Sequence, residues 1–278
     1  MKPWQTNPFP VRAWFERSCA LAFTAPFDQI AKLLPPCLQP DTFDPRWGVL
    51  AVALVDTRQL RPAFLPKTFG RNFLLIGYRI FVRYLSPTGR AYRGLYILRS
   101  ETDRLDMVWL GNLFTPYRYI QVPARLTEKS GRLTLQCQGP GPHLLADLNQ
   151  PESIPLPAES PFPSWSVARR YCGPLPFTFS WNPNRRETVI IEGKKSSWTP
   201  QPVRVLDWHF PFLQSLGLRE LKLANAFQVR QLEYRWKRGR TEAWKPFPPV
   251  HPSPASSPSS DLTGPSTSSA PDSSSSPS

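Results

Sequence analysis

Few residues in this chain are of the kinds that hold metals or begin covalent chemistry. Among 278 residues there are three histidines and four cysteines. His143, His209 and His251 form no H-x-x-H or HExxH pattern, and Cys19, Cys37, Cys137 and Cys172 fall at no metal-ligand spacing. Neither a metal nor a cofactor is therefore expected. Four cysteines are also too few to staple a chain of this length, and in apolar stretches a reduced cysteine serves as a small hydrophobe. Long hydrophobic runs are missing too. The longest, Trp47 to Val55, is far short of the about 20 residues that cross a bilayer. The first residues, Met-Lys-Pro-Trp-Gln-Thr-Asn-Pro-Phe, lack the apolar core of a secretory signal. A soluble, cytoplasmic protein with no membrane partner is the expectation.

Acid is scarce as well, with 20 Asp and Glu against 34 Lys and Arg and a formal net charge of +14. From Pro246 to Ser278, 13 Ser and 9 Pro fill 22 of 33 positions. Such a segment cannot bury enough apolar surface to offset its chain entropy and should be a disordered tail. It carries Asp261 and Asp272 and no cation, so residues 1–245, one domain with a single core, hold +16. That balance points to polyanion partners or to a cationic cavity. The densest basic run is Arg235-Trp236-Lys237-Arg238-Gly239-Arg240. It reads as a nucleic-acid patch or as a strand edge kept soluble by charge. The edge is favoured, because no nucleic-acid-binding motif accompanies the run.

Proline is abundant, with 26 of 35 before residue 246, which keeps elements short and argues against an all-helical protein. The dominant period is two. Tyr78, Ile80, Val82 and Tyr84 alternate with Arg79 and Arg83; Leu133, Leu135 and Cys137 alternate with polar residues; Leu175, Phe177, Phe179 and Trp181 repeat the pattern. Phe227 and Val229 face one way and Leu232, Tyr234 and Trp236 resume out of phase, which predicts a bulge at Arg230-Gln231. Residues 47–55, 73–76, 92–99 and 188–191 add strands. Helical spacing is confined to Ile30, Leu33 and Leu34, to 103–114 and to 212–224. The pattern is that of a β-rich α+β sandwich or barrel with scattered helices.

Three blocks, in this order, resemble a known family: Phe23-Thr-Ala-Pro-Phe-Asp-Gln-Ile-Ala-Lys-Leu-Leu-Pro-Pro-Cys-Leu-Gln-Pro-Asp-Thr-Phe; Tyr78-Arg-Ile-Phe-Val-Arg-Tyr followed by Gly94-Leu-Tyr-Ile-Leu; and Leu113 to Tyr119. Across about residues 12–240 the chain is similar to the YqjF-like family, domain of unknown function 2071, of the acetoacetate decarboxylase-like proteins. The resemblance implies a cone-shaped antiparallel β-barrel with flanking helices and an internal cavity. In acetoacetate decarboxylase a Pro-Lys-Lys segment supplies a Schiff-base lysine and the cation that lowers its pKa. Pro116-Tyr117-Arg118 matches that segment, so Tyr117 stands where the reactive amine would be, while Arg118 keeps a cation. The decarboxylase's strand carboxylate falls nearest Gly77, and of the Glu-x-Asn-x-Arg pattern common in YqjF-like relatives only Arg79 is retained. The resemblance thus implies that Schiff-base decarboxylation is lost.

Other residues carry weaker signals. Lys194-Lys195 read as a solvated turn. Glu101, Asp103 and Asp106 are an acid–base cluster or the caps of the helix that follows, and capping is favoured. Ser100 and Ser166 lack a nucleophile-elbow context. Asp207-Trp208-His209 pairs a carboxylate with an imidazole but offers no nucleophile. Arg118, Tyr117 and Arg79 are the candidate ligand-binding group, since guanidinium and phenol suit carboxylate or phosphate recognition; Arg79 has the alternative of pointing to solvent. Three functions follow in order. The first is a barrel holding a small anionic or aromatic metabolite. The second is a lyase or hydrolase acting on a keto acid or ester, with Tyr117 as acid and Arg118 stabilising an oxyanion. The third is a nucleic-acid or polyanion binder. Homo-oligomerisation stays open.

Overall fold

Period two becomes strand almost everywhere it occurs in the computed structural model, which describes residues 1–2, 5–150, 154–196 and 199–246. The expected disordered tail falls on 247–278, outside the described residues. Residues Met1–Lys245 form one compact unit. In chain order the elements begin with β1 (Val11–Pro26), α1 (Phe27–Lys32), β2 (Leu38–Pro40), β3 (Trp47–Pro62), β4 (Arg71–Leu85) and β5 (Ala91–Thr102). Next come α2 (Leu105–Phe114), β6 (Tyr119–Gln121), β7 (Ala124–Lys129), β8 (Arg132–Cys137), β9 (His143–Asp147) and α3 (Trp165–Cys172). The last are β10 (Phe177–Asn182), β11 (Glu187–Lys195), β12 (Gln201–Pro202), β13 (Arg204–His209), α4 (Pro211–Ser215), β14 (Lys222–Trp236) and β15 (Arg240–Ala243).

The main sheet runs β14-β1-β3-β4-β5-β10-β11, and a pairing of β11 with β14 closes it into a barrel. Most neighbours are antiparallel, as the resemblance implies, but β5 pairs in parallel with both β6 and β10. Each of these follows a connection that carries a helix, the usual route to parallel strands. A second, four-stranded sheet, β13-β9-β8-β7, covers part of the barrel's outer face. Leu133, Leu135, Leu144 and Ala146 of that sheet pack with Leu21, Phe23, Leu50, Ile76 and Tyr78 of the barrel. The opposite side chains of the same strands, among them Ala51, Ala53, Gly77 and Phe81, face inward. One end of the barrel is stopped by α3, whose Ala168 and Cys172 pack on Ala22, Val49, Phe81 and Leu95.

The phase slip in β14 is present: Gln231 has φ +52°, and Leu232 and Tyr234 are thereby turned to the barrel interior beside Phe227 and Val229. Two helical expectations change. The 212–224 pattern yields only the one-turn α4, because Pro211 opens it and Gly217, at φ +63°, ends the segment before β14 begins at Lys222. Helix α3 was not expected. Its local signal is Ser164, whose Oγ accepts from the Val167 N–H at 3.3 Å, but its apolar stripe is too short to stand out.

Candidate functional site

The barrel encloses a cavity of about 460 Å³. Small side chains make the hollow: Ala51 lies across the sheet from Arg79, Ala53 from Gly77, and Ala20 from Ala53. Larger ones line the path toward the end opposite α3, where Leu75, Val55 and Val229 give way to Phe73, Thr57 and Leu232, and then to Arg71, Leu60 and Trp236. Of the lining residues, only Phe69, Arg71 and Leu110 are exposed, and they mark the mouth. From Arg79 to Arg71 the strand rises about 26 Å at ~3.3 Å per residue, so the cavity is deep as well as narrow.

Its walls are mainly apolar and carry three arginines, Arg61, Arg71 and Arg79, with no Asp or Glu. The two at the mouth are occupied. Arg61 donates to the carbonyls of Leu65 and Gln59 at 3.1 and 2.9 Å, and Arg71 lies 3.6 Å from Asp106. Arg79 differs. Its Nε is buried with no hydrogen-bond partner, and the ionisable groups that act on it are the phenols of Tyr234, Tyr119 and Tyr117 rather than a carboxylate. Burial lowers its pKa, with the three phenols opposing that shift. A guanidinium still does not lose its proton in a protein, so the barrel holds an unneutralised cation.

Gly77 makes room for it. A Cβ built at Gly77 would meet Nη2 of Arg79 at 2.8 Å, since residues two apart on a strand share a face. The guanidinium therefore folds back over Gly77. The phenols come from three directions. Tyr117 follows α2, Tyr119 lies on β6 and Tyr234 on β14. Asn112 of α2 clamps Tyr119 by donating to its carbonyl and accepting from its N–H, both at 2.8 Å. Gly111 lets the Tyr119 ring lie against the helix. Desolvation raises all three phenols; Tyr119 goes to about 12, although a hydrogen bond with Ser100 opposes the rise. All three stay protonated near neutrality, able to donate to an anion.

The structure brings Arg79 and Tyr117 together and separates both from Arg118. With φ +53°, Arg118 turns outward and is exposed. It lines a second hollow with Gln5, Tyr96, Asn112 and Trp181. Lys194 and Lys195 are not in a turn; they end β11. Lys195 donates to the Pro174 carbonyl at 3.2 Å, and burial lowers its pKa to about 8, yet it is not among the cavity's lining residues.

The acidic cluster disperses. Glu101 accepts from the Tyr78 hydroxyl at 3.1 Å and pairs with Arg99, Asp103 accepts from the Leu74 N–H at 2.8 Å, and Asp106 pairs with Arg104. No side chain caps α2. Asp207 bonds His143 on β9 at 2.8 Å rather than its sequence neighbour His209. Of the basic run, Arg235, Lys237 and Arg240 are each paired with a glutamate, and β14 is an interior strand of the sheet, not an edge. Cys19, Cys37 and Cys172 are buried free thiols, and burial raises Cys19 to about 12.

The profile of a family described as an uncharacterized conserved protein, domain of unknown function 2071, matches residues 14–234. No curated protein matches the chain. In fold, the chain is similar to acetoacetate decarboxylase from Legionella pneumophila subsp. pneumophila str. Philadelphia 1, with a TM-score of 0.56 at 12% identity over 85% of this chain and 88% of that one. It is also similar to an acetoacetate decarboxylase-like enzyme from Sphingomonas wittichii RW1, with a TM-score of 0.51 at 13% identity over 84% and 94%.

Proposed function

We propose that this chain, which belongs to the domain of unknown function 2071 family and has the acetoacetate decarboxylase-like fold, binds a small, largely apolar or aromatic anion inside its barrel without forming a covalent bond to it. The observation that carries this reading is Arg79, half-buried with a fully buried Nε that has no hydrogen-bond partner, and with no carboxylate partner in a cavity without acidic residues. An unpaired buried charge is costly. A ligand carboxylate laid against Arg79 recovers that cost through charge-assisted hydrogen bonds, with the Tyr117 hydroxyl as a further donor. The cavity volume is in the usual range for small-molecule sites, and the small residues beside Arg79 leave space for an apolar body. Tyr117 has no amine, which supports non-covalent binding. Catalysis by Tyr117 and Arg118 acting together is not favoured, because they line different hollows.

Titration with 2-naphthoate, an aromatic carboxylate, tests the reading. Arg79→Met is expected to weaken binding by at least about tenfold, in keeping with ~1.5–3 kcal/mol for a hydrogen bond to a charged group. Arg118→Ala should leave it unchanged. Equal affinity in wild type and Arg79→Met would overturn the assignment.

A further inference from the structure

The surface around the cavity mouth is itself apolar. Phe64 is 71% exposed, Phe69 61% and Trp109 73%, and Leu105, Leu110 and Leu113 are also exposed. Two elements carry all six, the β3–β4 connection and α2. They join into one face, because Phe9 packs edge-on against Phe64 and against Phe114 at the end of α2, with centroids 6.0 and 5.0 Å apart. The Arg71–Asp106 pair ties the same two elements together. Helix α2 turns Met107 and Gly111 to the barrel, leaving its leucines and tryptophan outward. An apolar outer face of this kind marks an interaction surface. Phe69 and Leu110 belong both to this face and to the cavity lining, so apolar surface runs unbroken from the outside into the barrel.

Charge indicates what meets it. Arg61, Lys67, Arg71 and Arg104 border the face. Among the described residues only two carboxylates, Asp103 and Asp106, stand beside these four cations, and Asp106 is shared by Arg104 and Arg71, so the border keeps a positive excess. Aromatic and leucine side chains within a basic border are the composition that settles into the interface of an anionic bilayer.

We propose that this face docks on an anionic lipid surface and that the cavity takes its ligand there, as an amphiphilic anion whose head passes Phe69 and Leu110 first to reach Arg79 and whose tail lies along the apolar wall behind it. The ligand part rests on the cavity reading above; the docking part does not. No spanning segment is needed: among the described residues no helix is long and apolar enough to cross a membrane, and peripheral docking requires none.

The test is co-sedimentation of the whole chain with vesicles of phosphatidylcholine alone and of phosphatidylcholine with phosphatidylserine. Binding is expected only to the second, and it should weaken as salt is raised. The double variant Phe64→Ser/Trp109→Ser should bind at least about tenfold more weakly with unchanged melting, since exposed side chains contribute little to folding. Arg79→Met, altered only inside the barrel, should bind vesicles like the wild type even where it loses 2-naphthoate, which separates the two readings. Docking would be overturned by the absence of vesicle binding or by full binding of the double variant. It would equally be overturned by sedimentation velocity showing a dimer that the double variant dissolves, which would make this face a contact between copies.

Discussion

Arg79 and Gly77 act as one unit. The glycine leaves the space, the arginine folds into it, and the cation ends among three neutral phenols instead of beside a carboxylate. Gly77→Ala would place a methyl group 2.8 Å from Nη2 of Arg79. The obstructed atom is the end of a flexible side chain, so the guanidinium should swing away at little cost to folding. The expected outcome is a roughly fivefold loss of 2-naphthoate affinity, about 1 kcal/mol, with the melting temperature nearly unchanged. Unaltered affinity would mean that the guanidinium's placement over Gly77 is irrelevant to binding. The alternation in β4 is legible in the sequence, but the direction of Arg79 is not. Both faces of β4 are buried, one by the second sheet and one by the barrel interior, and this removes the contrast of inside and outside on which a period-two reading depends.

Among the elements, a buried carboxylate holds several together. Asp41, just after β2, has a fully buried side chain that accepts from Nε of Arg83 on β4 and Nε of Arg93 on β5, each at 2.6 Å. Arg93 in turn lies over the ring of Tyr171 in α3, 5.1 Å from its centroid, so the helix that stops the barrel is tied to this group. Asp41→Ala leaves two cations without their partner and should lower stability by about 3 kcal/mol, measured by urea denaturation. A loss under ~1 kcal/mol, the range of surface pairs, would show that solvent already screens the group. Strands β3, β4, β5, β8, β10, β11 and β14 and helices α1 and α2 are legible from periodicity and proline stops, whereas β1, β7, β9 and β15 are not. Helix α3 could not, because one turn of its face touches the barrel and the rest is polar. The helical spacing of 212–224 outruns α4 because the leucines after Gly217 reach the same core from the turn before β14, Leu218 and Leu221, and from its start, Leu223.

For the whole molecule, closure is the decisive event. β1 pairs with β3 along nearly its full length, whereas β11 meets β14 only at Gly193–Trp236, Lys194–Arg235 and Lys195–Tyr234. Gly193 is needed there, since a Cβ would sit 2.4 Å from the Tyr234 hydroxyl, and Tyr234 belongs to the group around Arg79. A seam so short, like the three-residue pairing of β5 with β10, should open before the long antiparallel ladders of the sheet. Native-state hydrogen exchange is expected to be faster at the amides of residues 193–195 than in β1 and β3, and a saturating cavity ligand should slow it. Uniform protection around the ring would show that the barrel opens only by global unfolding.

Composition and period determined much of this protein without tertiary information. The scarcity of histidine and cysteine, the recurrence of period two and the absence of an amine at Tyr117 are properties of residue identity and order, legible without any tertiary contact. What the tertiary structure decided was direction. It turned Tyr117 inward and Arg118 outward across a single positive φ, drew Arg79 into the barrel, gave each of the three acidic residues different partners and gathered six exposed apolar residues around one opening. These outcomes depend on which strands become neighbours when the sheet closes, and closure brings together residues as distant in sequence as Arg79 and Tyr234, whose relation no local pattern encodes.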